Sequence, residues 1–569
     1  MGKPLIHLPK LTLKALFEYS TENYADRPAV QFVDGHHLMT YTALEQKVLK
    51  IQEMLDAYDI HPGDRVALYS ENMPNWSAIY FAVTTMGAVI VPILPDFHTS
   101  EAMHIANHAE CKAAFISQKL FETLLDEKQP PAINLLVIAD KLTVLTKLST
   151  PSKMDKMLQM GGEQLNKAME KLGKEKKEEE AYIPEEDDLA AIIYTSGTTG
   201  SSKGVMLTHR NLTYDATAAQ HVVDIFPEDR FLSVLPMAHT FECTVGMIIP
   251  LLNGASIHYL QRPPTPTILV KALAHVRPTF MLAVPLIIEK IYKNRIQPNF
   301  EKNILIRTLY AIPFLRKMFH RIAGKKLMET FGGEIRFFGI GGAGLSPLVE
   351  KFLREAAFPY CIGYGLTETS PLLAGTNPQK TKYKAIGPVI AGVEVELRDK
   401  NAEGIGTLWA RGPIVMKGYY KDPEKTAEAM DENGWFNTED IGYLDSDGYF
   451  FMNGRAKNII VGPSGENIYP EQIEAVINAH IYVADSLVFD DSGVLTARIN
   501  LDYEKLDVAF GVSRKSETEI HKKVAEILEE IRKEVNENVS SFSRIRKVIE
   551  QKEPFVKTPT KKIKRYLYV

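Results

Sequence analysis

Short apolar runs alternate with helical segments along much of this chain, and this alternation limits the fold more than any other feature. Between residues 28 and 140 the helical pattern ALEQKVLKIQEMLDAY is followed by the strand-like runs DRVALYS, KAAFIS and NLLVIAD. The alternation resumes at residue 189 and continues to about residue 373. Because parallel strands need a crossover that is usually a helix, the pattern predicts a layered α/β fold with largely parallel sheets.

One uncharged stretch, NMPNWSAIYFAVTTMGAVIVPILP at residues 72–95, raises the question of a transmembrane helix. Gly87 divides it, and Pro92 lies in its last part. These interruptions predict a buried helix over residues 75–86 followed by a buried strand over residues 88–94, with a transmembrane helix as the lesser alternative.

Changes of composition along the chain predict its domains. Residues 150–188 end in the charged run KLGKEKKEEEAYIPEEDD, which is typical of a solvated helix end and linker. A glycine-punctuated, strand-rich section at about residues 386–452 predicts a small β-rich subdomain. We therefore expect a large N-terminal domain at residues 1–454, a hinge at 455–457 and a smaller α+β domain at 458–569.

The composition excludes several classes of function. A net charge of −5 gives no global attraction to nucleic acid. Cys111, Cys243 and Cys361 lie far apart, which excludes a disulfide framework and a cysteine zinc site and suits a reducing compartment. The opening residues MGKPLIHLPK lack the apolar region of a signal peptide, so we expect a cytoplasmic location.

The segment YTSGTTGSSKGVMLTHRNL at residues 194–212 is expected to bind phosphate. Glycines allow close backbone approach, successive N–H groups can bind an anion, and hydroxyls and a lysine add donors. It is not a Walker A loop, because Ser202 and Gly204 stand where that motif needs glycine and Ser or Thr. Strands are predicted on both sides, and a helix begins only at His209 with Thr208 as its N-cap. A mobile surface turn is the simpler alternative.

Followed by VMLTH, this segment resembles the phosphate-loop signature of the adenylate-forming superfamily, which includes acyl-CoA synthetases, firefly luciferase and the adenylation domains of peptide synthetases. The resemblance covers about residues 28–565. It implies that the loop holds the β- and γ-phosphates of ATP and that Thr195 is a ligand of Mg²⁺. The implied loop residues are Thr195, Ser196, Gly197, Thr198, Thr199, Gly200 and Lys203.

GYGLTETS at residues 363–370 resembles the second signature of this family. The resemblance implies that Tyr364 stacks on adenine, Thr367 contacts the α-phosphate and Glu368 binds Mg²⁺. A carboxylate must attack an anionic phosphate, so a cation and donors belong there. Alone, TET is typical of a helix N-cap. Upstream, GIGGAGLS at residues 339–346 resembles the glycine loop beside adenine. The implied backbone positions are Gly341, Gly342, Ala343, Gly363 and Gly365.

WFNTEDIGYLDSDGYFFMNGRAKNII at residues 435–460 resembles the next family segment. By this resemblance Asp440 and Arg455 bind the ribose hydroxyls, and Lys457 is the hinge about which a mobile C-terminal domain rotates. The family usually has glycine before the aspartate, whereas this chain has Glu439, so the local backbone is open to question. A surface salt bridge would explain Asp440 or Arg455 singly, but not both in register with the upstream motifs.

The ending KTPTKKIKR resembles the C-terminal signature of the family and implies that Lys562 supports adenylation. Lys561 replaces the usual glycine, and a plain basic tail is the simpler explanation. The turn GPSGEN at residues 462–467, which contains Gly465, would reach the pantetheine of coenzyme A after the domain rotates.

LPMAHTFE at residues 235–242 resembles the form found in long-chain acyl-CoA synthetases, in which His239 lines the acyl pocket near the carboxylate. A core histidine with a satisfied hydrogen bond is the alternative. The implied function is ATP-dependent activation of a long-chain fatty acid through an acyl-adenylate, then thioester formation with CoA. Acylation of a carrier protein, activation of a medium-chain or aryl acid, and a silent nucleotide-binding scaffold remain as alternatives.

The stretch at residues 291–328 is basic and amphipathic. It could pack on the core beneath a solvated basic face, or lie on a membrane surface where a fatty acid partitions. Packing is the preferred interpretation, which allows at most peripheral contact with the inner face of a membrane. The partners expected are the fatty acid, ATP and CoA, with no nucleic acid, and a homodimer is allowed.

Overall fold

The computed structural model describes residues 5–124, 133, 135–147, 182–195, 202–462, 466–511, 516–558 and 562–569. Its strands are β1 (Pro28–Phe32), β2 (Met39–Thr40), β3 (Arg65–Tyr69), β4 (Val89–Ile93), β5 (Ala113–Ile116), β6 (Leu135–Ile138), β7 (Thr143–Lys147), β8 (Leu189–Thr195), β9 (Lys203–Thr208), β10 (Arg230–Ser233), β11 (Ser256–Tyr259), β12 (Phe280–Ala283), β13 (Phe337–Ile340), β14 (Tyr360–Gly365), β15 (Leu372–Gly375), β16 (Glu394–Arg398), β17 (Gly406–Arg411), β18 (Gly418–Tyr419), β19 (Phe436–Leu444), β20 (Phe450–Arg455), β21 (Ile460–Val461), β22 (Asn467–Ile468), β23 (Val483–Asp491), β24 (Val494–Leu501) and β25 (Lys547–Glu550).

Its α-helices are α1 (Leu13–Tyr24), α2 (Tyr41–Ala57), α3 (Pro74–Thr85), α4 (Thr99–His108), α5 (Gln118–Leu124), α6 (His209–Ala218), α7 (Thr240–Cys243), α8 (Ile249–Leu252), α9 (Pro266–Val276), α10 (Pro285–Ile291), α11 (Gln297–Glu301), α12 (Ile304–Ala311), α13 (Pro313–Thr330), α14 (Pro347–Ala356), α15 (Pro423–Ala429), α16 (Pro470–Asn478), α17 (Tyr503–Phe510) and α18 (Glu517–Asn538). Short 3₁₀ turns include Thr367–Thr369 and Ala456–Asn458, and π-helical turns occupy Thr244–Ile248 and Tyr292–Ile296.

Two eight-stranded sheets form the large N-terminal part. The first sheet has the order β15-β14-β13-β12-β10-β11-β1-β2, and its strands from β14 to β1 are parallel. The second sheet has the order β18-β9-β8-β4-β3-β5-β6-β7, with β8 to β6 parallel. Antiparallel strands complete the edges of both sheets. The predicted α/β layers with largely parallel sheets are confirmed.

Helix α3 packs between the two sheets and explains the long uncharged stretch. All 12 of its residues are buried, and it contacts β1 of the first sheet as well as β3 and β4 of the second. Ser77 in α3 bonds to the hydroxyl of Tyr259 in β11 at 2.8 Å. The predicted buried helix and strand are confirmed to within a residue at each end. Among the residues described, no helix has the length and apolar character needed to cross a bilayer.

The remaining sheets are smaller. β16, β17, β19 and β20 form a four-stranded antiparallel sheet in the β-rich section. Beyond it lie the β21-β22 pair, the three-stranded sheet β23-β24-β25 and the amphipathic helix α18, whose Val524, Ile527, Ile531 and Val535 are buried. This α+β part is the smaller C-terminal domain. The exact domain and hinge bounds given above stay a prediction.

The turn after β14 brings two backbone segments unusually close. A Cβ placed on Gly365 would lie 1.6 Å from the carbonyl oxygen of Pro371, so no other residue fits without moving the backbone. The same turn holds Thr367 and Glu368. Its shape therefore fixes two predicted site residues.

We expect Gly365→Ala to destabilise the N-terminal domain by more than about 3 kcal/mol, because either the backbone or the turn must move. The matched control is Gly344→Ala, whose Cβ would meet no heavy atom within 4 Å. Thermal unfolding of both variants checks this. Equal midpoints for the two variants would contradict the close approach.

Candidate active site

The glycine-rich loop joins two antiparallel strands of the second sheet. β8 ends at Thr195, β9 begins at Lys203, and these two residues are partners in the ladder. Helix α6 then begins at His209, with the Thr208 hydroxyl accepting from the N–H of Asn211. The predicted strands on both sides of the glycine-rich segment and the capped helix that follows are confirmed. Ser196, Gly197, Thr198, Thr199 and Gly200 lie outside the described residues.

Tyr419 links the lysine of this loop to the predicted Mg²⁺ ligand. Strand β18 pairs with β9, which places Tyr419 opposite Val205. The Tyr419 hydroxyl donates to Oε1 of Glu368 at 2.9 Å, and Nζ of Lys203 lies 4.9 Å from the centre of the Tyr419 ring. Burial, and then Glu368, raise the pKa of Tyr419. Sequence reasoning missed Tyr419, because only the β9–β18 pairing brings it here.

Gly341 and Gly342 follow strand β13, and Gly365 is the last residue of strand β14, so these glycines lie at the strand ends where open α/β sheets bind ligands. A Cβ on Gly341 would lie 3.0 Å from the Phe241 ring, and Gly342 has a positive φ of 82°. Ala343 follows them, and Gly363 lies within β14. Thr367 begins the 3₁₀ turn that carries Glu368. These positions present backbone along one edge of the first sheet.

Asp440 is buried between two partners. The Tyr364 hydroxyl donates to its Oδ2 at 2.7 Å, and Nε of Arg455 lies 3.0 Å from its Oδ1. Asp440 and Arg455 are partners in the β19–β20 ladder. Burial raises the pKa of Asp440, whereas Arg455 and Tyr364 oppose the shift. Asp440 is the first cause of the raised pKa of Arg455.

Glu439, which stands before Asp440 where the family usually has glycine, has a left-handed backbone conformation. Its φ is 58°, in the left-handed region that glycine adopts most easily. Its carboxylate lies 2.7 Å from Nζ of Lys457, the predicted hinge residue. Glutamate therefore adopts here a backbone conformation that glycine adopts most easily, and its side chain gains an ion pair.

Lys562 lies among the other charged residues of the site. Its pKa is lowered first by burial and then by Arg455, whereas Asp440 and Glu368 raise it. It accepts at its carbonyl from the N–H of Thr558 at 2.7 Å. Although much of the Lys562 residue is solvent-exposed, its ammonium lies near Arg455, Asp440 and Glu368. Gly465 and Lys561 lie outside the described residues.

His239 is the N-cap of α7, and its Nδ1 accepts from the N–H of Phe241 at 3.2 Å. Burial, and then Lys562, lower its pKa to about 4, so the ring is neutral at pH 7. Asn72 anchors the preceding loop by accepting from the N–H of Met237 and donating to the carbonyl of Leu235. Asn72 was also missed, because it precedes this loop by more than 150 residues.

An apolar pocket lies beside these residues, against the first sheet. Its wall includes the stacked rings of Phe231, Phe280 and Phe337, whose centroids are 4.6 and 5.0 Å apart. Gly339 and Gly363 also line it, and because they lack side chains they leave room within it. The lining is almost wholly apolar, so the pocket suits a hydrocarbon group.

The model of the AMP-binding enzyme family matches residues 17–420. The chain belongs to this family. A peroxisomal long chain acyl-CoA synthetase 7 of Arabidopsis thaliana is 29% identical over 87% of this chain and 74% of its own. A chloroplastic long-chain-fatty-acid–[acyl-carrier-protein] ligase of the same plant is 28% identical over 81% of this chain and 72% of its own. O-succinylbenzoate coenzyme A synthetase of Bacillus subtilis, solved with ATP and magnesium ion, shares the fold with a TM-score of 0.72 at 19% identity, covering 97% of this chain and 98% of its own.

The residues present fit what an AMP-binding enzyme must hold. Oδ1 of buried Asp440 lies close to Arg455 but accepts no hydrogen bond, so a donor such as a ribose hydroxyl would satisfy it. Within the described part of the chain no three His, Cys, Asp or Glu residues cluster as metal ligands. Mg²⁺ does not require such a cluster, because it is usually held by one or two carboxylates together with substrate phosphates.

Glu242 is a buried carboxyl beside the His239 loop. It is 1% exposed, its Oε2 accepts no hydrogen bond, and burial raises its pKa to about 8. A Cβ on Gly246 would lie 2.8 Å from its carboxyl carbon, so the glycine makes room for it. Glu242 is therefore mostly protonated at pH 7.

This raised pKa predicts how stability depends on pH. Between the unfolded value near 4.5 and about 8, the unfolded chain loses the Glu242 proton first, so the free energy of unfolding falls as pH rises. In Glu242→Gln the free energy of unfolding should no longer fall with pH. From pH 6 to pH 8 it should therefore rise relative to that of the parent protein by about 2 kcal/mol. Chemical denaturation at several pH values measures it, with exposed Glu22→Gln as the control. The same pH slope in all three proteins would refute the prediction.

Proposed function

We propose that this chain is an AMP-forming acyl-CoA synthetase that activates a long-chain fatty acid. In the first reaction an oxygen of the fatty carboxylate attacks the α-phosphorus of ATP, and pyrophosphate leaves. In the second, the CoA thiolate attacks the acyl carbonyl, the thioester forms and AMP leaves. The relatives that are long-chain acyl-CoA synthetases support the substrate class.

The convergence of Lys562, Arg455, Asp440 and Glu368 is the observation that carries this proposal. The first reaction brings an anionic carboxylate to an anionic phosphate, and their repulsion must be offset. We assign Lys562 the contact with both groups. Its lowered pKa reflects burial and the neighbouring Arg455, so a bound anion would stabilise its charge.

The nucleotide would be held by the charged residues around Lys562 and by the neighbouring glycine segments. Asp440 and Arg455 would bind the ribose, Tyr364 and the Gly341–Ala343 backbone would lie along adenine, and the loop with Lys203 would hold the outer phosphates. Thr367 would contact the α-phosphate. Mg²⁺, held by Glu368 and Thr195, would supply charge neutralisation at the phosphates.

His239 would orient the fatty carboxylate. Because its Nδ1 accepts a hydrogen bond, the proton of the neutral ring is on Nε2, which can donate to a carboxylate oxygen. The apolar pocket beside Gly363 would take the start of the hydrocarbon chain. Lys457 remains the proposed hinge and Gly465 the proposed neighbour of pantetheine.

A carrier-protein acceptor is the second candidate, and the relative that acylates acyl-carrier protein favours it. Pyrophosphate release should be measured with acids from acetate to oleate and with aryl acids, in the presence of CoA, carrier protein or neither. We expect the highest kcat/KM with long-chain acids and thioester only with CoA. Highest activity with an aryl acid would overturn the substrate class, and no ATP–pyrophosphate exchange with any acid would favour a silent scaffold.

Lys562 should matter for one half-reaction only. We expect Lys562→Ala to slow acyl-adenylate formation by at least about 100-fold, since a transition-state charge contact is lost. Thioester formation from supplied acyl-adenylate should be nearly unchanged. The neighbouring Lys564→Ala is the matched control and should leave both half-reactions intact. Equal loss of both steps in Lys562→Ala would refute the assignment.

The cellular setting is part of the proposal. A long-chain acid partitions into lipid, so we place the enzyme in the cytoplasm with peripheral contact to a membrane. A homodimer stays a prediction, which light scattering in solution would test.

A further inference from the structure

Helices α12 and α13 expose apolar side chains that soluble helices normally bury. α12 has no buried residue at all. Ile304 is 85% exposed, Leu305 69% and Phe314 77%. Ile312, Met318 and Ile322 are exposed as well. A group of large exposed apolar side chains marks a surface that contacts something other than water.

The opposite face of the pair is firmly packed. The Tyr310 ring stacks on Phe300 at 4.8 Å, and its hydroxyl bonds to Nε2 of buried His320 at 2.8 Å. Arg316 makes a two-pronged ion pair with Glu355 of α14, with hydrogen bonds of 2.9 and 3.1 Å. The predicted packing is thus confirmed for the inner face. Because the helices are held from within, the apolar outer side chains are presented to the outside.

The outer side chains form two stripes on α13. Phe314, Met318 and Ile322 recur at four-residue steps, and so do Lys317, Arg321 and Lys325. Residues four apart lie on one helix face, so an apolar stripe runs beside a basic one. From Lys302 to Met328 the chain has no Asp or Glu, and its basic residues are Lys302, Arg307, Arg316, Lys317, Arg321, Lys325 and Lys326.

We propose that this α12–α13 face, defined by the exposed apolar residues above and Lys317, Lys325 and Lys326, docks on an anionic lipid bilayer. Phe314 and Leu305 would enter the boundary between headgroups and acyl chains, and the lysines would contact lipid phosphates. Apolar side chains beside lysines suit the interface of such a bilayer. The docking itself does not depend on the proposed function. Only its use to the enzyme does, which is access to a fatty-acid substrate held in the membrane.

Charge favours lipid over the other occupants. Two copies of this face would bring like charges together, which opposes a symmetric homodimer through it. An anionic bilayer instead supplies opposite charge to every exposed lysine and an apolar phase to every exposed apolar side chain. Of these two occupants, the anionic bilayer is the one that satisfies both stripes.

Vesicle sedimentation tests the proposal with the full-length enzyme. Vesicles of phosphatidylcholine alone are compared with vesicles containing 30 mol% phosphatidylglycerol, at low and high salt. We expect binding to the anionic vesicles that weakens as salt rises. The variants are Leu305→Ser with Phe314→Ser, and Lys317→Glu with Lys325→Glu. The lysine pair should lower the partition coefficient about 10-fold or more, since each lysine near the surface contributes about 1 kcal/mol. The Leu305 and Phe314 pair should lower it by a similar factor, because apolar side chains no longer enter the bilayer.

The matched control is Val508→Ser with Lys522→Glu, which changes an exposed valine and an exposed lysine on α17 and α18. It should bind vesicles like the parent protein. All variants should keep parent activity toward a detergent-dispersed acid without vesicles, which also shows that they fold. No binding by the parent, equal binding by all variants, or self-association lost in the α12–α13 variants would overturn the proposal. Intact vesicle binding without thioester formation would instead overturn the proposed function.

Discussion

The site depends on keeping one carboxylate, that of Asp440, buried where two sheets meet. Asp440 is 1% exposed, and taking a carboxylate out of water is costly unless partners replace the lost hydration. Arg455 of the neighbouring strand supplies charge, and Tyr364 at the end of β14 supplies a hydrogen bond. This second bond joins the four-stranded sheet to the first sheet. The interaction that offsets the burial of Asp440 would thus also align the proposed ribose and adenine contacts.

The position of Lys562 depends on how the C-terminal part is attached. Lys293, at the π-helical turn after α10, donates to the carbonyl of Val483, and its own pKa is lowered to about 8 by burial and by Lys505. In this arrangement Lys562 and Arg455 bring two positive charges close to Asp440. The site therefore has positive charge that a bound polyphosphate would neutralise. The sequence motifs name these residues but do not show that their charges lie together.

Sequence predicted most of the architecture, because hydrophobic periodicity and motif order are local properties. The strands around the glycine-rich loop, helix α3 and the buried face of α18 all follow from such patterns. Tyr419 could not be found this way, because its place depends on pairing between β18 and β9, more than 200 residues apart. The left-handed backbone of Glu439 also escaped prediction, because glutamate has no preference for it. The amphipathic patterns of α12 and α13 predicted helices, but they did not predict which apolar side chains are exposed to solvent.

The first sheet separates the apolar pocket from helices α12 and α13. Along β12, Phe280 and Leu282 line the apolar pocket, whereas Met281 faces the cluster on the other side, which includes partly buried Tyr310 and Phe319. Alternate residues of a strand point to opposite faces, so α12 and α13 pack across the sheet from the pocket. Contact of their outer face with a bilayer would then change the local supply of fatty acid without moving the residues around Asp440. Docking would lower the apparent KM for membrane-held acid and leave kcat unchanged, because the outer face of α12 and α13 lies across the first sheet from the pocket and touches none of the residues around Asp440.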